Sequence, residues 1–213
     1  MVATVNRCGH SLATLAPTAF GLALACAFTF GLALSFPAQA QSIEVVVHKE
    51  GQRVTVDVTA PVAAEPEHVW STLTDFDHMA DFLSALKSSR VISHKGLSME
   101  VEQAGEARRG FFHFSFSTVR SVELVPEREV RSQLISGDSF KSYEFVTRIV
   151  PAGNGMTTIV HHGEYVPTTW IPPVIGPALI EAETRKQYSE LIAEILRRQA
   201  ASVRDESAHP KAP

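Results

Sequence analysis

The sequence predicts an α+β domain in which a curved antiparallel β-sheet wraps around one long C-terminal α-helix, with two short helices after the first core strand. Three observations predict it. From about Ser89 to Pro167, strand-like runs alternate with short separators containing Gly, Pro, Asp or Asn, the pattern of successive hairpins. The interval before them, 63–83, carries two brief helical patterns, and the interval after them carries a long one. Strands, then a single long helix able to cover them, make a two-layer domain around one core.

The first 40 residues stand apart. Between Arg7 and Glu44 there is no Lys, Arg, Asp or Glu, and an apolar run from about Leu12 to Phe36 ends in Pro37-Ala38-Gln39-Ala40. A basic start, an apolar middle and an Ala-x-Ala end read as an export signal, cleaved so that Gln41 opens the mature chain in the periplasm or outside the cell. The alternative is a retained anchor, since an uncharged run of this length can cross a bilayer about 30 Å thick. Both cysteines, Cys8 and Cys26, fall in this segment, so the mature chain has no disulfide, thiolate metal site or cysteine nucleophile.

Beyond the signal, residues 41–200 form the domain and 201–213 a polar tail read as disordered. Ile43 to Val62 is a hairpin turning at Lys49–Gln52, and Pro66 sits in the first turn of a short helix bearing Val69, Trp70 and Leu73. A second short helix spans His78 to Leu83. Asp75, Asp77 and Asp81 are read as helix-end residues, Asp77 capping the second helix, rather than as paired catalytic carboxylates. The strands are then Ser89–Lys95, Ser98–Ala107, Phe112–Val125, Glu129–Ser136, Ser142–Val150 and Met156–Val166. From Pro177 to Gln199, Ile180, Tyr188, Leu191, Ile192, Ile195 and Leu196 make one apolar stripe on a helix about 34 Å long.

The mature portion holds 18 basic and 23 acidic residues, a formal charge of −5. Dedicated nucleic-acid binding is disfavoured, because phosphate neutralisation needs a basic face, and the pairs Arg108/Arg109 and Arg197/Arg198 are too few to build one. A metal centre is not expected: His161 and His162 alternate to opposite faces, His113 lies opposite the phenylalanines, and no His-Glu-x-x-His spacing occurs. No cofactor is implied, and no nucleophile elbow, phosphate loop or dinucleotide fingerprint is present.

Three stretches resemble the START-like superfamily, also called SRPBCC or helix-grip, and within it the polyketide cyclase and coenzyme Q-binding group. They are VTAPVAAEPEHVWSTLTDFDHMADFLSALKSSRVI (58–92), EFVTRIVPAGNGMTTIV (144–160) and WIPPVIGPALIEAETRKQYSELIAEILRR (170–198). The resemblance covers roughly Gln52 to Gln199 and implies a deep hydrophobic cavity between sheet and helix. It does not imply one activity, since the superfamily includes lipid carriers, receptors and cyclases. An export signal and an extra N-terminal strand, Ile43 to His48, depart from the group's pattern.

Candidate cavity residues follow from strand alternation. Phe112, Phe114 and Phe116 share a face with Thr118, Arg120, Val122 and Leu124. Either the phenylalanines are plain core, with Arg120 at the rim or beyond a bulge that resets the register, or they line a cavity into which Arg120 projects. A buried Arg120 needs a carboxylate or an anionic ligand group. On the last strand Ile159, His161, Gly163 and Tyr165 alternate together, and family register favours this set inward, His161 being either a satisfied core residue or a proton carrier. Tyr143, Phe145 and Trp170 complete the candidates. The apolar connector Trp170–Ile175 packs on the sheet rim, borders the cavity entrance, or touches a membrane or partner.

The expected function is binding or transport of a small hydrophobic ligand (lipid, isoprenoid, quinone or aromatic polyketide) with no catalytic residue required. The alternatives are a cyclase or dehydratase using the same cavity, with His161 or Tyr165 moving a proton, and an envelope interaction protein docking through its connector. Transient membrane contact is left open; the oligomeric state is not legible.

Overall fold

A computed structural model describes residues 42–109 and 112–208 of the chain; the expected signal, 1–40, lies outside the described residues. The strands are β1 (Glu44–Glu50), β2 (Arg53–Val62), β3 (Leu86–Lys95), β4 (Ser98–Arg109), β5 (Phe112–Val125), β6 (Glu129–Gly137), β7 (Phe140–Gly153) and β8 (Met156–Pro167). The helices are α1 (Pro66–Leu73), α2 (Met79–Phe82) and α3 (Gly176–Ala208), with a 3-10 turn, Phe76–His78, leading into α2.

The sheet order is β1-β2-β8-β7-β6-β5-β4-β3 and every neighbouring pair is antiparallel. Consecutive strands pair wherever a short separator joins them. The exception is β2, which pairs with β8, while α1 and α2 carry the chain to the far edge at β3. This is the helix-grip fold, a curved sheet with a long C-terminal helix and two short helices.

Inward positions follow the strand period of two. Val54, Val56, Val58, Ala60 and Val62 of β2 are all buried, as are Met99 and Val101 of β4, Val122 of β5, Val130 of β6, Ile149 of β7 and Ile159 of β8. On α3, Leu191 and Ile195 join them, with Val69, Leu73, Phe76 and Met79 closing the same end of the core. Burying one such aliphatic side chain contributes about 1.5–3 kcal/mol, so this end carries much of the stability.

Polar clamps fix α3 at that end. Arg198 bridges Asp75 at 2.9 Å and Glu194 at 2.7 Å, and its guanidinium lies 5.5 Å from the Phe82 ring centroid. Glu190 accepts from the Ser84 amide at 3.0 Å and its hydroxyl at 2.6 Å. Gln199 accepts from the Glu65 amide at 3.1 Å and donates to the Ala63 carbonyl at 3.2 Å.

Several expectations change. Asp77 does not cap a helix: its carboxylate accepts from the Val91 amide at 2.7 Å, tying the turn to β3, and neither the 3-10 turn nor α2 has a side-chain cap. The second helix is a 3-10 turn followed by one α turn. α3 continues to Ala208, so residues 201–208, read as part of a disordered tail, are helical. Leu196 is 39 % exposed, because 100° of helical rotation carries it away from its neighbour Ile195, which is fully buried.

Candidate functional site

The strand that carries the phenylalanines settles the register of Arg120. β5 pairs with β4 without interruption from Ser98↔Glu123 to Arg109↔Phe112. The irregularity lies in β6, where the partner of Val119 is Ser136 and that of Arg120 is Leu134, so the extra residue is Ile135. No reset occurs in β5. Thr118, Arg120 and Val122 are buried, Phe114, Phe116 and Leu124 partly so, and His113, Ser115 and Ser117 on the other face are exposed.

Arg120 is therefore inward and only 8 % exposed. It donates from Nη1 to Ser132 Oγ at 2.9 Å, donates to the Tyr143 hydroxyl, and sits 5.4 Å from the Phe76 ring centroid. Its Nε is buried with no hydrogen-bond partner. Among the described residues no carboxylate forms an ion pair with it.

Aromatic side chains from β5, β7, β8 and α3 converge beside it. Phe140 is the hub, its ring centroid 5.9 Å from Phe114, 5.7 Å from Tyr143 and 5.3 Å from Tyr165. Tyr143 stacks on Phe145 at 4.0 Å, Phe145 meets His161 at 4.9 Å and Tyr165 at 6.1 Å, and His161 meets Tyr188 of α3 at 5.8 Å. Edge-to-face geometry dominates, as ring quadrupoles prefer.

Two glycines make this wall possible by close approach. A Cβ on Gly163 would lie 2.3 Å from Phe145 Cδ1, so the ring rests directly on the β8 backbone opposite. Both pairings of β8 run through Gly163 without a shift, so the residue makes room and marks no bulge. On β4, a Cβ at Gly105 would lie 2.1 Å from the Ala85 carbonyl oxygen and 2.7 Å from Phe116 Cζ, which places the Phe116 ring over that strand.

Tyr143, His161 and Tyr188 are enclosed by protein, yet each keeps part of its surface accessible, as do Phe114, Phe116, Phe140, Phe145 and Tyr165. The aliphatic end behaves differently: Val101, Val122, Ile159 and Ile195 keep none. These rings are packed less completely than the aliphatic cluster. The core thus has a dense aliphatic end and a looser aromatic end, with Arg120 between them.

Polar atoms in the aromatic end are few and specific. The His161 imidazole Nδ1 shares a hydrogen bond with Thr147 Oγ1 at 2.8 Å, and the Tyr188 hydroxyl also bonds Thr147. Burial, helped by His162 and Arg120, lowers the His161 pKa from 6.5 to about 4, so the ring is neutral at pH 7. Burial raises the pKa values of Tyr143, Tyr165 and Tyr188, so these phenols stay protonated.

Of the sequence candidates, Phe114, Arg120, Tyr143, Phe145, His161 and Tyr165 come together, and Phe116 lies beside them over Gly105. Phe112 opens β5 with its side chain outside the described part. Trp170 does not join the wall; it is 64 % exposed, with Val174 at 87 % and Ile175 at 42 %, while Ile171 alone of the connector packs on the core cluster. Phe140, Thr147, Ser132 and Tyr188 were not among the candidates. Phe140 was read as part of the Ser-Gly-Asp-Ser-Phe separator, and Tyr188 as stripe core.

A recess of about 180 Å³ lies among β5, β6 and β7, lined by solvated side chains such as Glu123, Arg131, Glu144 and Arg148 and also by Ser132 and Phe145. Among the described residues no cluster of His, Cys, Asp and Glu is arranged to hold a metal, and no helix is long and apolar enough to cross a membrane.

A family model described as polyketide cyclase / dehydrase and lipid transport matches residues 53–201. Among solved structures, a START superfamily protein from Mycobacterium smegmatis superposes with a TM-score of 0.59 at 18 % identity, covering 67 % of this chain and 97 % of that one. An aromatase/cyclase from a Streptomyces species gives 0.58 at 16 %, covering 68 % and 95 %. A STAR-related lipid transfer protein from Xanthomonas axonopodis gives 0.55 at 10 %, covering 71 % and 98 %. At these identities the likeness is one of fold. Among curated proteins the sequence finds no match.

Proposed function

The chain belongs to the polyketide cyclase/dehydrase and lipid-transport family, and from that membership we propose that it binds and carries a small hydrophobic ligand in the gap beneath its aromatic wall. The observation that carries the reading is the contrast within one core: side chains at the aromatic end are only partly buried, while those at the aliphatic end are buried, Val101, Val122, Ile159 and Ile195 completely. Apolar area contributes about 25 cal/mol per Å² before the costs of association. The ring edges and the neutral His161 favour a lipid, isoprenoid, quinone or aromatic polyketide over a polar solute. The pattern of residues 1–40 supports export, with the carrier working in the periplasm or outside the cell from Gln41 onward.

Native mass spectrometry of the protein purified from its own host, followed by solvent extraction, tests this. A retained apolar molecule, and a mature chain whose mass begins at Gln41, is the expected result; an empty protein that takes up no apolar probe overturns it. A cyclase-type reaction is the second reading, favoured by the Tyr188–Thr147–His161 hydrogen-bonded chain, whose uncharged imidazole can accept a proton. It requires turnover of a poly-β-ketone substrate that His161→Ala abolishes, whereas a carrier loses only modest affinity with that change.

A further inference from the structure

Resting on the ligand-binding reading, we infer that the ligand is a monoanion, an apolar body with one carboxylate-type head, and that Arg120 is its counter-ion. Several arginines are paired even where they are half exposed: Arg131 and Arg148 reach Glu129 at 2.5 and 2.7 Å, and Arg198 reaches Asp75 and Glu194, while Arg128 and Arg204, which have no ion pair among the described residues, are exposed to water. Arg120, the one buried arginine of the core, has no such partner among the described residues. Its hydrogen bonds go to the hydroxyls of Ser132 and Tyr143, which accept a proton donor but bring no negative charge. Nε is left with no partner at all.

A guanidinium cannot discharge by losing its proton, so its burial calls for a negative charge from elsewhere. The groups around it supply none: the Tyr143 phenol and the His161 imidazole are both neutral at pH 7. One uncompensated positive charge is matched by one negative charge. A neutral ligand leaves the cation as it was, and a dianion replaces a buried excess of +1 with one of −1. Arg120 lies where the aromatic wall meets the dense end of the core, so the head is held innermost and the apolar body lies along Tyr143, Phe145 and Phe140 towards α3.

Displacement of the neutral dye Nile red from delipidated protein at pH 8 tests this, with dodecanoic acid, its methyl ester, dodecyl phosphate, 2-naphthoic acid and methyl 2-naphthoate as competitors. At least one acid is expected to compete about tenfold or more better than its own ester, as a charge-assisted pair requires, and dodecanoic acid better than dodecyl phosphate. In Arg120→Met the acid-to-ester ratio should fall to within about twofold. Equal binding of acids and esters by the wild type, or a preference that survives Arg120→Met, overturns the inference and leaves the carrier reading standing. Failure of Nile red and every competitor to bind the wild type overturns both. The wild-type contrast decides the matter even if the variant does not fold.

Discussion

Acid should destabilise this protein through His161 by an amount the structure fixes. Burial, the largest cause, lowers the folded-state pKa from 6.5 to about 4, so protonation of this ring favours the unfolded chain. Above pH 6.5 the imidazole is neutral in both states and contributes no pH dependence. As pH falls from 6.5 towards 4, the unfolded chain takes up a proton that the folded chain refuses, and stability is lost throughout that window. Integrating between those two pKa values gives a loss of about 2 kcal/mol at pH 5 and about 3 kcal/mol at pH 4, relative to pH 7.5. The carboxylates with lowered pKa values, Asp75, Glu106, Glu129 and Glu194, add their own acid sensitivity at lower pH. They are shared by any variant at 161, so the difference between wild type and His161→Gln isolates the histidine. Urea titrations followed by tryptophan fluorescence from pH 7.5 to 4 should show the wild type losing about 3 kcal/mol more than the variant. Parallel stability curves would refute a buried, neutral imidazole and with it the polar geometry of the site.

Gly163→Ala should cost about 1–3 kcal/mol and weaken Nile red binding, because its Cβ falls 2.3 Å from Phe145 Cδ1 and the ring has only the gap to move into; unchanged stability and binding would mean the ring does not rest on β8. Arg198→Met, losing partners at 2.9 and 2.7 Å, should cost about 1 kcal/mol and speed amide exchange in the last turns of α3 while leaving β5 to β8 protected. Uniform loosening of the sheet would contradict its role as a local clamp. Arg120→Met in the absence of ligand should raise the urea midpoint by the equivalent of about 1–4 kcal/mol, since a buried charge lacking a counter-charge gives way to apolar packing; a fall would show that Ser132 and Tyr143 already compensate it.

Much of this was legible because strands advertise their faces. The alternation in β5 named Phe114, Phe116 and Arg120 as neighbours, and the question it left, whether a bulge turned Arg120 outward, has a local answer: the bulge is at Ile135, on the neighbouring strand. Nothing in either strand's own sequence says which of two paired strands takes an extra residue, because that depends on how both turns close. The aspartates of the 75–81 segment were harder. Their composition suits a cap, but Asp77 instead accepts from Val91, a residue 14 positions on, and such a partner exists only once β3 has docked. Phe140 was hidden by its neighbours, since Gly137, Asp138 and Ser139 read as turn and drew the phenylalanine into it. The reach of α3 past Gln199 was missed for a similar reason: residues 202–208, mostly polar, carry no apolar stripe, while Ser202 comes within 3.4 Å of His68 of α1, a contact that exists only once the two helices have packed.

The division of the core into two ends explains how one small domain can be both stable and loosely packed at one end. α3 is anchored from Arg185, which donates to the Ile43 carbonyl, through Glu190 to Arg198 and Gln199, and by the fully buried Ile195. Its first turns, ahead of Arg185, keep Ile180 only partly buried and follow a connector whose Trp170 and Val174 are exposed. Stability and access are therefore spatially separate. On the proposed carrier reading, the clamped stretch holds the fold while the first turns of α3 shift, because opening there disturbs partly buried rings rather than the fully buried aliphatic chains. The same separation accounts for Arg120: a costly buried cation is tolerable next to a dense cluster of valines and isoleucines that offsets it, and at that depth it is screened least, so the proposed anionic head is oriented there more strongly than at the rim.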